Sequence, residues 1–205
     1  MELVALDLEG SGAQDGDDEA ILEIATVPIV EWQAQPDASY CTLINPGRPI
    51  PQRRWISPGL TNEALAGATS LHAIEPRLAT ELNGKYIVGH NVGVDWRLLH
   101  RRCPNIEPAG LIDTLRLARA ADVGASKSLT ALITHFDLTD RVDELARGSV
   151  PHRALWDTYA VALLLQALVN RVSDDQMTLT NVIATAGARL SGDGETTPTQ
   201  PALFE

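Results

Sequence analysis

The fold is set by the stretch ALDLEGSG, residues 5–12. The apolar run that leads into it predicts a buried strand at residues 2–8, and two carboxylates, Asp7 and Glu9, stand where that strand ends. Side chains two apart in a strand share a face. Like charges held this close repel each other unless a cation lies between them. The pair therefore predicts a solvent-exposed strand end or a metal site, and so short a motif does not separate the two.

The composition limits the class of protein. A chain of 205 residues with 44% hydrophobic residues suits one globular domain, or one domain and a tail. Its two cysteines, Cys41 and Cys103, are too few for a disulfide framework or a zinc site. The sequence has neither the pattern of a secretory signal nor an apolar run long enough to span a bilayer. We therefore expect a soluble, cytoplasmic protein without membrane contact.

The acidic balance of the chain bears on its partners. A formal net charge of −11 argues against a broad nucleic-acid-binding surface, which would be basic. It is compatible with an enzyme that grips only a strand end, because carboxylates that bind divalent cations add to the negative count.

The remaining pattern predicts an α/β fold with a mixed sheet, since strands come first and strands and helices then alternate. Strands at 21–32 and 38–46 complete an antiparallel meander, and a loop rich in Pro, Gly and Arg follows at 46–59. We find no internal repeat. Further periodicities predict strands at 85–91 and 110–114 and helices at 61–67, 73–82, 94–102, 114–121, 127–136 and 154–170.

The C-terminal part divides in two. Ser173 and Gln176 form a capping-box pattern that predicts a helix reaching to about Leu190. Residues 191–205 have no apolar period and predict a flexible tail.

A third carboxylate, Asp95, lies in the predicted helix VDWRLLHRR, residues 94–102. Helical spacing places it on or beside the apolar stripe that contains Leu98 and Leu99. Burial of a lone carboxylate is unfavourable unless it is paired or holds a metal. The ordinary alternative is an ion pair with Arg97, Arg101 or Arg102, which lie in the same helix.

A fourth carboxylate, Asp157, stands in the first turn of the helix predicted at 154–170, where the helix dipole favours any acid. His152 precedes it by five residues, in the loop that leads into the helix. An exposed loop histidine can act as a general base, or it can be an ordinary surface residue.

Each of these residues has an ordinary structural explanation, but their ordered conjunction is hard to produce by chance. Oxygen ligands without a cysteine or histidine cluster point to Mg²⁺ or Mn²⁺ rather than zinc. Two such ions, about 3.5–4 Å apart, stabilise the attacking and leaving oxygens in phosphodiester hydrolysis. The sequence therefore predicts a two-cation site in which the ions fill the space at the strand end.

The ordered set resembles the DEDD 3′–5′ exonuclease family, and HRALWD, residues 152–157, resembles its DEDDh subgroup. The segments ILEIA, GHN and IDTLRLAR are also similar to that family. The resemblance covers roughly residues 1–170 and implies a ribonuclease H-like mixed sheet flanked by helices. Together with the capping box and the aperiodic tail, it divides the chain into an exonuclease domain at 1–172, a C-terminal helix at 173–190 and a tail at 191–205. It further implies that two cations are held by four residues, Asp7, Glu9, Asp95 and Asp157, and that His152 takes the proton of the attacking water.

The same resemblance places Gly10, Ser11, Gly12 and Asn91 near the terminal nucleotide. Gly10 supplies no side chain where the family often has threonine. Val94 stands where phenylalanine is frequent, and Pro58 stands where histidine is frequent. These departures bear on how substrate is gripped, not on the metal chemistry.

Aromatic and basic residues suggest further substrate contacts. Trp55 lies beside Arg53 and Arg54 in the predicted loop, and it could stack on a base while the arginines meet phosphates. The commoner alternative is a tryptophan packed against its own loop. Four more arginines predict a local basic rim despite the acidic total: Arg101, Arg102, Arg116 and Arg119.

The chain ends in QPALFE, residues 200–205. Gln200, Leu203 and Phe204 resemble the short peptide with which bacterial replication proteins bind the DNA sliding clamp. A tether of this kind would raise the local concentration of the enzyme at DNA. A free tail, or one docked on the domain itself, is the alternative.

The residues and the resemblance together favour a metal-dependent 3′–5′ exonuclease that acts on single-stranded ends. The resemblance and the tail motif further imply a preference for DNA and a role in repair or proofreading. A polymerase is a further candidate partner. An RNA-trimming or short-oligonucleotide exonuclease is the nearest alternative. A non-catalytic nucleic-acid-binding adaptor on the same fold is the other, since fold alone does not decide function.

Overall fold

The structure, a computed structural model, describes residues 2–171 and 178–190. Within these ranges eight strands form one mixed sheet. The strands are β1 (Leu3–Gly10), β2 (Ile21–Val30), β3 (Gln33–Ala34), β4 (Tyr40–Asn45), β5 (Thr69–Ser70), β6 (Tyr86–Gly89), β7 (Gly110–Asp113) and β8 (Gly187–Ala188). Their order across the sheet is β5-β4-β2-β1-β6-β7-β8, and β3 pairs with β2.

Helices connect and cover these strands. They are α1 (Asn62–Ala66), α2 (Leu71–Leu82), α3 (Gly93–Arg102), α4 (Thr114–Ala120), α5 (Leu129–His135), α6 (Thr139–Leu145), α7 (Ala154–Arg171) and α8 (Leu179–Ala186). Short 3₁₀ segments lie at Ala13–Asp18 and Pro36–Ala38. In the portion of the chain that is described, none of the helices combines the length and the apolarity that crossing a bilayer would require.

Strand β1 runs through the middle of the sheet. It is antiparallel to β2, with Asp7 opposite Ala25 and Glu9 opposite Glu23, and the register shifts between Glu9 and Gly10. On its other side it runs parallel to β6, which in turn runs parallel to β7. Because β1 and β6 run in the same direction, their carboxyl ends meet at one edge of the sheet, where α3 begins.

Helices pack on both faces of the sheet, which confirms the predicted mixed α/β architecture. On one face, a core that includes Leu3, Ala5 and Val27 packs against α7 and its neighbouring helices. On the other face, Leu6 and Leu8 join the buried side chains of α2 and α3. Leu3 and Ala5 therefore share a face of β1 with Asp7 and Glu9.

The long helix α7 explains why that face of β1 turns acidic where it does. Its residues are buried along most of its length, and it packs on β1 and β2. The helix begins at Ala154, and its first turn contains Asp157. This turn lies at the end of β1, where Asp7 and Glu9 follow the apolar residues of the strand. The sheet face is apolar under the body of the helix and acidic at its start.

The predicted order of strands and helices agrees with the structure, apart from short elements and one boundary. Helix α6 was not expected, because Val142 is its only buried residue and leaves no apolar period to detect. The helix expected to reach about Leu190 ends at Ala186, so that expectation was wrong. The residues after it form β8, which pairs with the otherwise open edge of β7.

Ser173 and Gln176, which were expected to begin that helix, lie outside the described residues. Helix α8 is capped instead by Thr178, whose side chain accepts a hydrogen bond from the Asn181 backbone N–H at 3.3 Å.

Candidate active site

Three carboxylates meet at the carboxyl end of β1. Asp7 and Glu9 come from the strand and Asp157 from the first turn of α7, and one carboxylate oxygen of each lies within 4.8 Å of the others. All three residues are half-buried. Oxygen ligands at such short separation suit a hard divalent cation, whose charge would offset their mutual repulsion. The residues present therefore fit the expected metal.

Asp95 joins the same edge from the first turn of α3. The nearby backbone N–H groups of Leu8 and of Asp95 itself act to lower the pKa of its carboxylate, against the larger effect of burial. It lies outside the 4.8 Å group, but after burial its charge is the largest influence that raises the pKa of Asp7. The structure brings all four predicted carboxylates into one electrostatic neighbourhood.

The alternative explanation for Asp95, an ion pair within its own helix, is wrong. Arg97 pairs with Glu19 at 2.8 Å, and Arg101 approaches the same carboxylate at 3.6 Å. Arg102 donates to the backbone carbonyls of Asp17 and Glu19. All three arginines hold the segment that follows β1.

The acids shift one another's pKa values. Burial, followed by repulsion from Asp95 and Asp157, raises the pKa of Asp7 well above its usual value. Burial raises the pKa of Glu9 to about 8, although the Ser57 hydroxyl partly opposes this. Burial likewise raises the pKa of Asp95 to about 7. It raises that of Asp157 to about 6 against an opposing backbone hydrogen bond from His152. In the absence of cations, the site retains protons near neutral pH.

His152 lies exposed in the turn before α7, with φ +65°. Its backbone N–H donates to Asp157 Oδ1 at 3.3 Å, and its charged form lowers the pKa of that acid. Left-handed backbone is uncommon for a residue other than glycine and persists where surrounding contacts hold it. The imidazole is thus kept next to the acidic group while remaining open to solvent.

The family model RNase_T, described as Exonuclease, matches residues 4–165. The chain belongs to the DEDD 3′–5′ exonuclease family.

Individual relatives agree with this assignment. The chain is 32% identical over 168 residues to a DNA polymerase III subunit epsilon-like protein of Rhodobacter capsulatus, covering 79% of this chain and 23% of that protein. It is 29% identical over 165 residues to exodeoxyribonuclease 10 of Escherichia coli K12, covering 80% of this chain and 67% of that one. The chain thus spans only about a quarter of the length of the first of these relatives.

Among solved structures, Exonuclease X in complex with 5′ overhanging duplex DNA superimposes with a TM-score of 0.61. The two sequences are 28% identical, and the match covers 85% of this chain and 96% of that one. The ribonuclease H-like fold that the motifs implied is therefore confirmed.

The segment that follows the first exonuclease motif departs from expectation at Ser11. Ser11 is fully buried, so the expected contact with a nucleotide is wrong. Its hydroxyl donates to Asp15 at 2.5 Å and accepts from the Ala20 N–H at 3.0 Å. Gly10 and Gly12 are only partly buried and stay candidates for contact with substrate.

Trp55 is half exposed and lies against this segment. Its indole N–H donates to the Ser11 carbonyl at 3.4 Å, and the Arg53 guanidinium lies 5.5 Å from its ring centroid. Gly12 has φ +105°, and a Cβ there would come within 2.5 Å of the indole nitrogen. Gly12 thus leaves the room that allows Trp55 to lie beside the end of β1.

Asn91 follows β6 and is exposed, with φ +64°. Its backbone N–H donates to Asp113 Oδ1 at 2.8 Å, and the same oxygen caps α4 by accepting from the Leu115 N–H at 2.9 Å. The buried Asp113 carboxylate therefore holds the turn at Asn91 in place through the backbone. The Asn91 side chain remains exposed to solvent and is available to a substrate.

Three of the four arginines expected to form a basic rim donate to backbone carbonyls, and the fourth, Arg119, is exposed on α4. Arg101 donates to the Gly16 carbonyl at 2.8 Å, and Arg102 donates to the neighbouring carbonyls of the same segment. Arg116 donates to the Gly187 carbonyl at 2.9 Å and so attaches β8 to α4. These side chains donate to backbone carbonyls that are distant in the sequence. The spacing of the arginines along the chain therefore could not predict their partners.

Three residues that support the site were not found from the sequence. Ser57 donates to Glu9 Oε2 at 2.6 Å. Glu23 is buried on β2 and pairs with Arg153 at 2.7 Å. The sequence did carry a signal for this pair, because Glu23 is the only charged residue in the apolar run 21–30 and a buried charge requires a partner. Ser57 left no such signal, since its role depends on the path of an irregular loop.

We predict that Mn²⁺ stabilises the protein much more at pH 8.5 than at pH 5.5. The folded-state pKa values of these acids are raised, so their protons stabilise the metal-free fold below about pH 4, and this contribution is lost as the pH rises through 6 to 8. In EDTA, thermal unfolding should therefore show a Tm that falls between pH 5.5 and 8.5. Mn²⁺ at about 100 times its Kd should restore roughly 5–10 °C at the higher pH.

Asp7→Asn is the informative variant, because it removes one repelling charge and one ligand. It should raise the Tm in EDTA at pH 8.5 and abolish the gain from Mn²⁺. Asp140→Asn, at an exposed acid on α6, is the matched control and should behave like the unaltered protein. An equal Mn²⁺ gain in Asp7→Asn and in the unaltered protein would contradict the assignment.

Proposed function

We propose that this chain is a divalent-cation-dependent 3′–5′ exonuclease of the DEDDh subgroup that removes nucleotides from single-stranded ends. The observation that carries the proposal is the acidic group at the end of β1, with carboxylate oxygens of Asp7, Glu9 and Asp157 within 4.8 Å. Asp95 adds a fourth charge, and the exposed His152 stands next to Asp157. An adaptor would gain nothing from holding such mutually repelling groups together.

The residues divide the chemistry among them. Asp7, Glu9, Asp95 and Asp157 would hold two Mg²⁺ or Mn²⁺ ions, whose charge would stabilise the attacking and leaving oxygens of the phosphodiester. His152 takes the proton from the attacking water, a role that its exposure suits because it must exchange that proton with solvent. Gly10, Gly12 and Asn91 form the surface against which the terminal nucleotide lies.

Exposed apolar side chains support an unpaired strand as the substrate. In the described ranges, three of the five large hydrophobic residues that are exposed stand close in sequence to site residues: Trp55, Val94 and Val150. Val94 precedes Asp95 directly, and Val150 lies two residues before His152. An unpaired base offers an apolar face to such side chains, whereas the bases of a duplex are already stacked on each other.

The names of similar proteins favour DNA over RNA. Exodeoxyribonuclease 10 and a DNA polymerase III subunit epsilon-like protein both match the chain, and the Exonuclease X structure contains duplex DNA. We therefore propose a role in DNA repair or proofreading, supported by these names, and we propose the cytoplasm as its location. RNA trimming is the alternative, and the 2′-hydroxyl is the chemical difference that a matched comparison would test.

We further propose that the chain terminus binds the DNA sliding clamp through Gln200, Leu203 and Phe204, with a polymerase as a second candidate partner. These residues lie outside the described part of the structure. The proposal is supported by the peptide pattern, by the DNA polymerase III subunit epsilon-like protein among the relatives and by the gain in local concentration that a tether provides.

We predict that the protein shortens 5′-labelled single-stranded DNA from its 3′ end in Mg²⁺ or Mn²⁺. Asp7→Ala should abolish cleavage, because the metal ligand set is broken. His152→Ala should reduce kcat by about 10²–10⁴-fold, the usual contribution of a positioned general base. The measurement is a time course of product lengths on a sequencing gel, with matched DNA and RNA oligonucleotides run in parallel.

Asp140→Asn serves as the control for that series and should retain full activity. Faster cleavage of RNA would transfer the proposal to RNA trimming. Absence of cation-dependent cleavage of either strand by the unaltered protein would favour the adaptor.

We predict that Trp55→Ala raises KM for single-stranded DNA by roughly tenfold and leaves kcat within about twofold, since one base–aromatic stack contributes about 1–3 kcal/mol. Trp55→Phe should recover most of the loss, because it keeps an aromatic face without the indole N–H. Val30→Ala, at an exposed residue of β2, is the control. An unchanged KM in Trp55→Ala would show that the indole only packs on its loop.

We predict that the full chain binds the bacterial sliding clamp and that deletion of residues 200–205 abolishes this binding. Alanine substitutions at Leu203 and Phe204 together should have the same effect, because they remove the apolar contacts. Surface plasmon resonance on immobilised clamp measures both. As a control, nuclease activity on free oligonucleotides should be equal in the intact, truncated and substituted proteins. Failure of the intact chain to bind the clamp would contradict this part of the proposal.

A further inference from the structure

Arg153 immediately follows His152 and carries a hydrogen-bonding pattern that a surface arginine would not need. Its Nε donates to Glu23 Oε2 at 2.8 Å and its Nη2 donates to Glu23 Oε1 at 2.7 Å. The Glu23 side chain is only 5% exposed and that of Arg153 is 23% exposed. A two-pronged guanidinium–carboxylate contact of this kind fixes orientation as well as distance.

Glu23 also fixes the start of α7. Its Oε2 accepts from the backbone N–H of Ala154, the first residue of that helix, at 3.1 Å. Glu23 lies directly opposite Glu9 in the register of β1 and β2. The carboxylate therefore ties the turn that contains His152 to the strand next to the acidic group.

The backbone of this turn requires such support. His152 has φ +65°, a conformation that is unfavourable for a residue with a side chain and that persists only where several contacts determine it. On one side its N–H donates to Asp157 Oδ1 at 3.3 Å. On the other side, the next residue is held by the Glu23 fork. The backbone of His152 therefore stands between two anchored points.

Arg153 reaches one more part of the site. Its Nη1 donates to the Pro58 carbonyl at 3.3 Å, and a Cβ on Gly59 would lie 3.2 Å from the same nitrogen. The neighbouring Ser57 is the residue that donates to Glu9. One guanidinium thus joins the histidine turn, strand β2 and the loop that contacts a metal ligand, which a single ammonium group could not do.

We propose that Arg153, oriented by Glu23, is a positioning residue that holds His152 where it can accept the proton of the attacking water. The inference rests on the function proposed above. It assigns no contact with substrate to Arg153 and no chemistry to Glu23. Displacement of a catalytic group by about 1 Å can reduce a rate by about a hundredfold, so a loosened turn has a measurable consequence.

The test compares Arg153→Lys and Arg153→Gln with the unaltered protein on single-stranded DNA. We expect kcat to fall by about 10- to 100-fold while KM changes by less than about threefold, because the turn is misplaced but the nucleotide surface is intact. In the background of His152→Ala, the same substitutions should have almost no further effect on kcat. A purely structural role would instead lower both backgrounds equally.

Two further variants control for loss of folding and for the change in charge: the double variant Glu23→Gln with Arg153→Gln, and Arg141→Gln. Arg153→Gln leaves Glu23 buried without its cation, whereas the double variant Glu23→Gln with Arg153→Gln leaves no unpaired charge and should still show the reduced kcat. Arg141→Gln removes an arginine that pairs with Glu144 on the exposed face of α6 and is the matched control. Mn²⁺ affinity by calorimetry should stay within about threefold in the double variant, since no proposed ligand is altered.

The outcomes separate this inference from the proposed function. If the unaltered protein cleaves DNA and the folded double variant keeps full kcat, the positioning role is overturned. The same holds if Arg153→Gln lowers kcat equally with and without His152. If the unaltered protein cleaves no nucleic acid and His152→Ala changes nothing, the proposed function fails first, and the inference fails with it.

Discussion

The central constraint on this structure is that the fold brings four mutually repelling carboxylates to the carboxyl end of β1. The strand, the first turn of α3 and the first turn of α7 each contribute to the group, and burial with mutual repulsion raises the pKa of its members. Hydrogen bonds from Ser57 to Glu9 and from His152 to Asp157 hold individual carboxylates in place. Such a group is stable with bound protons or with bound cations, and only the second state retains the negative charge that metal-dependent hydrolysis requires.

Other acids near this edge have arginine partners, unlike the four carboxylates of the site. Asp15, Glu19 and Glu23 each pair with an arginine, at 2.5, 2.8 and 2.7 Å. These pairs are scaffolding: they hold the segment after β1, attach it to α3 and fix the turn before α7. Arginines near the site are thus engaged within the protein, which limits the basic surface that they offer to a nucleic acid.

The sequence predicted the parts of the molecule that follow from local rules. Alternation along β1 placed Asp7 and Glu9 on one face. The meeting of Asp95 and Asp157 with them was expected from the ordered set of acids and from the resemblance to the exonuclease family. The sequence did not predict the partners of Arg97 and Arg102, or the burial of Ser11, because these depend on how an irregular segment folds back. The end of α8 was missed for a related reason, since pairing of Gly187 and Ala188 with β7 is a long-range event.

Anomalous diffraction from crystals grown with Mn²⁺ and a nucleoside 5′-monophosphate at about pH 8 would locate any cations held by the acidic group. We expect two peaks about 3.5–4 Å apart, both bounded by the carboxylates of Asp7, Glu9, Asp95 and Asp157. An acidic group without any peak, in crystals where Mn²⁺ binds elsewhere on the surface, would contradict this expectation. The four acids would then be a buried, protonated cluster with no part in phosphodiester hydrolysis.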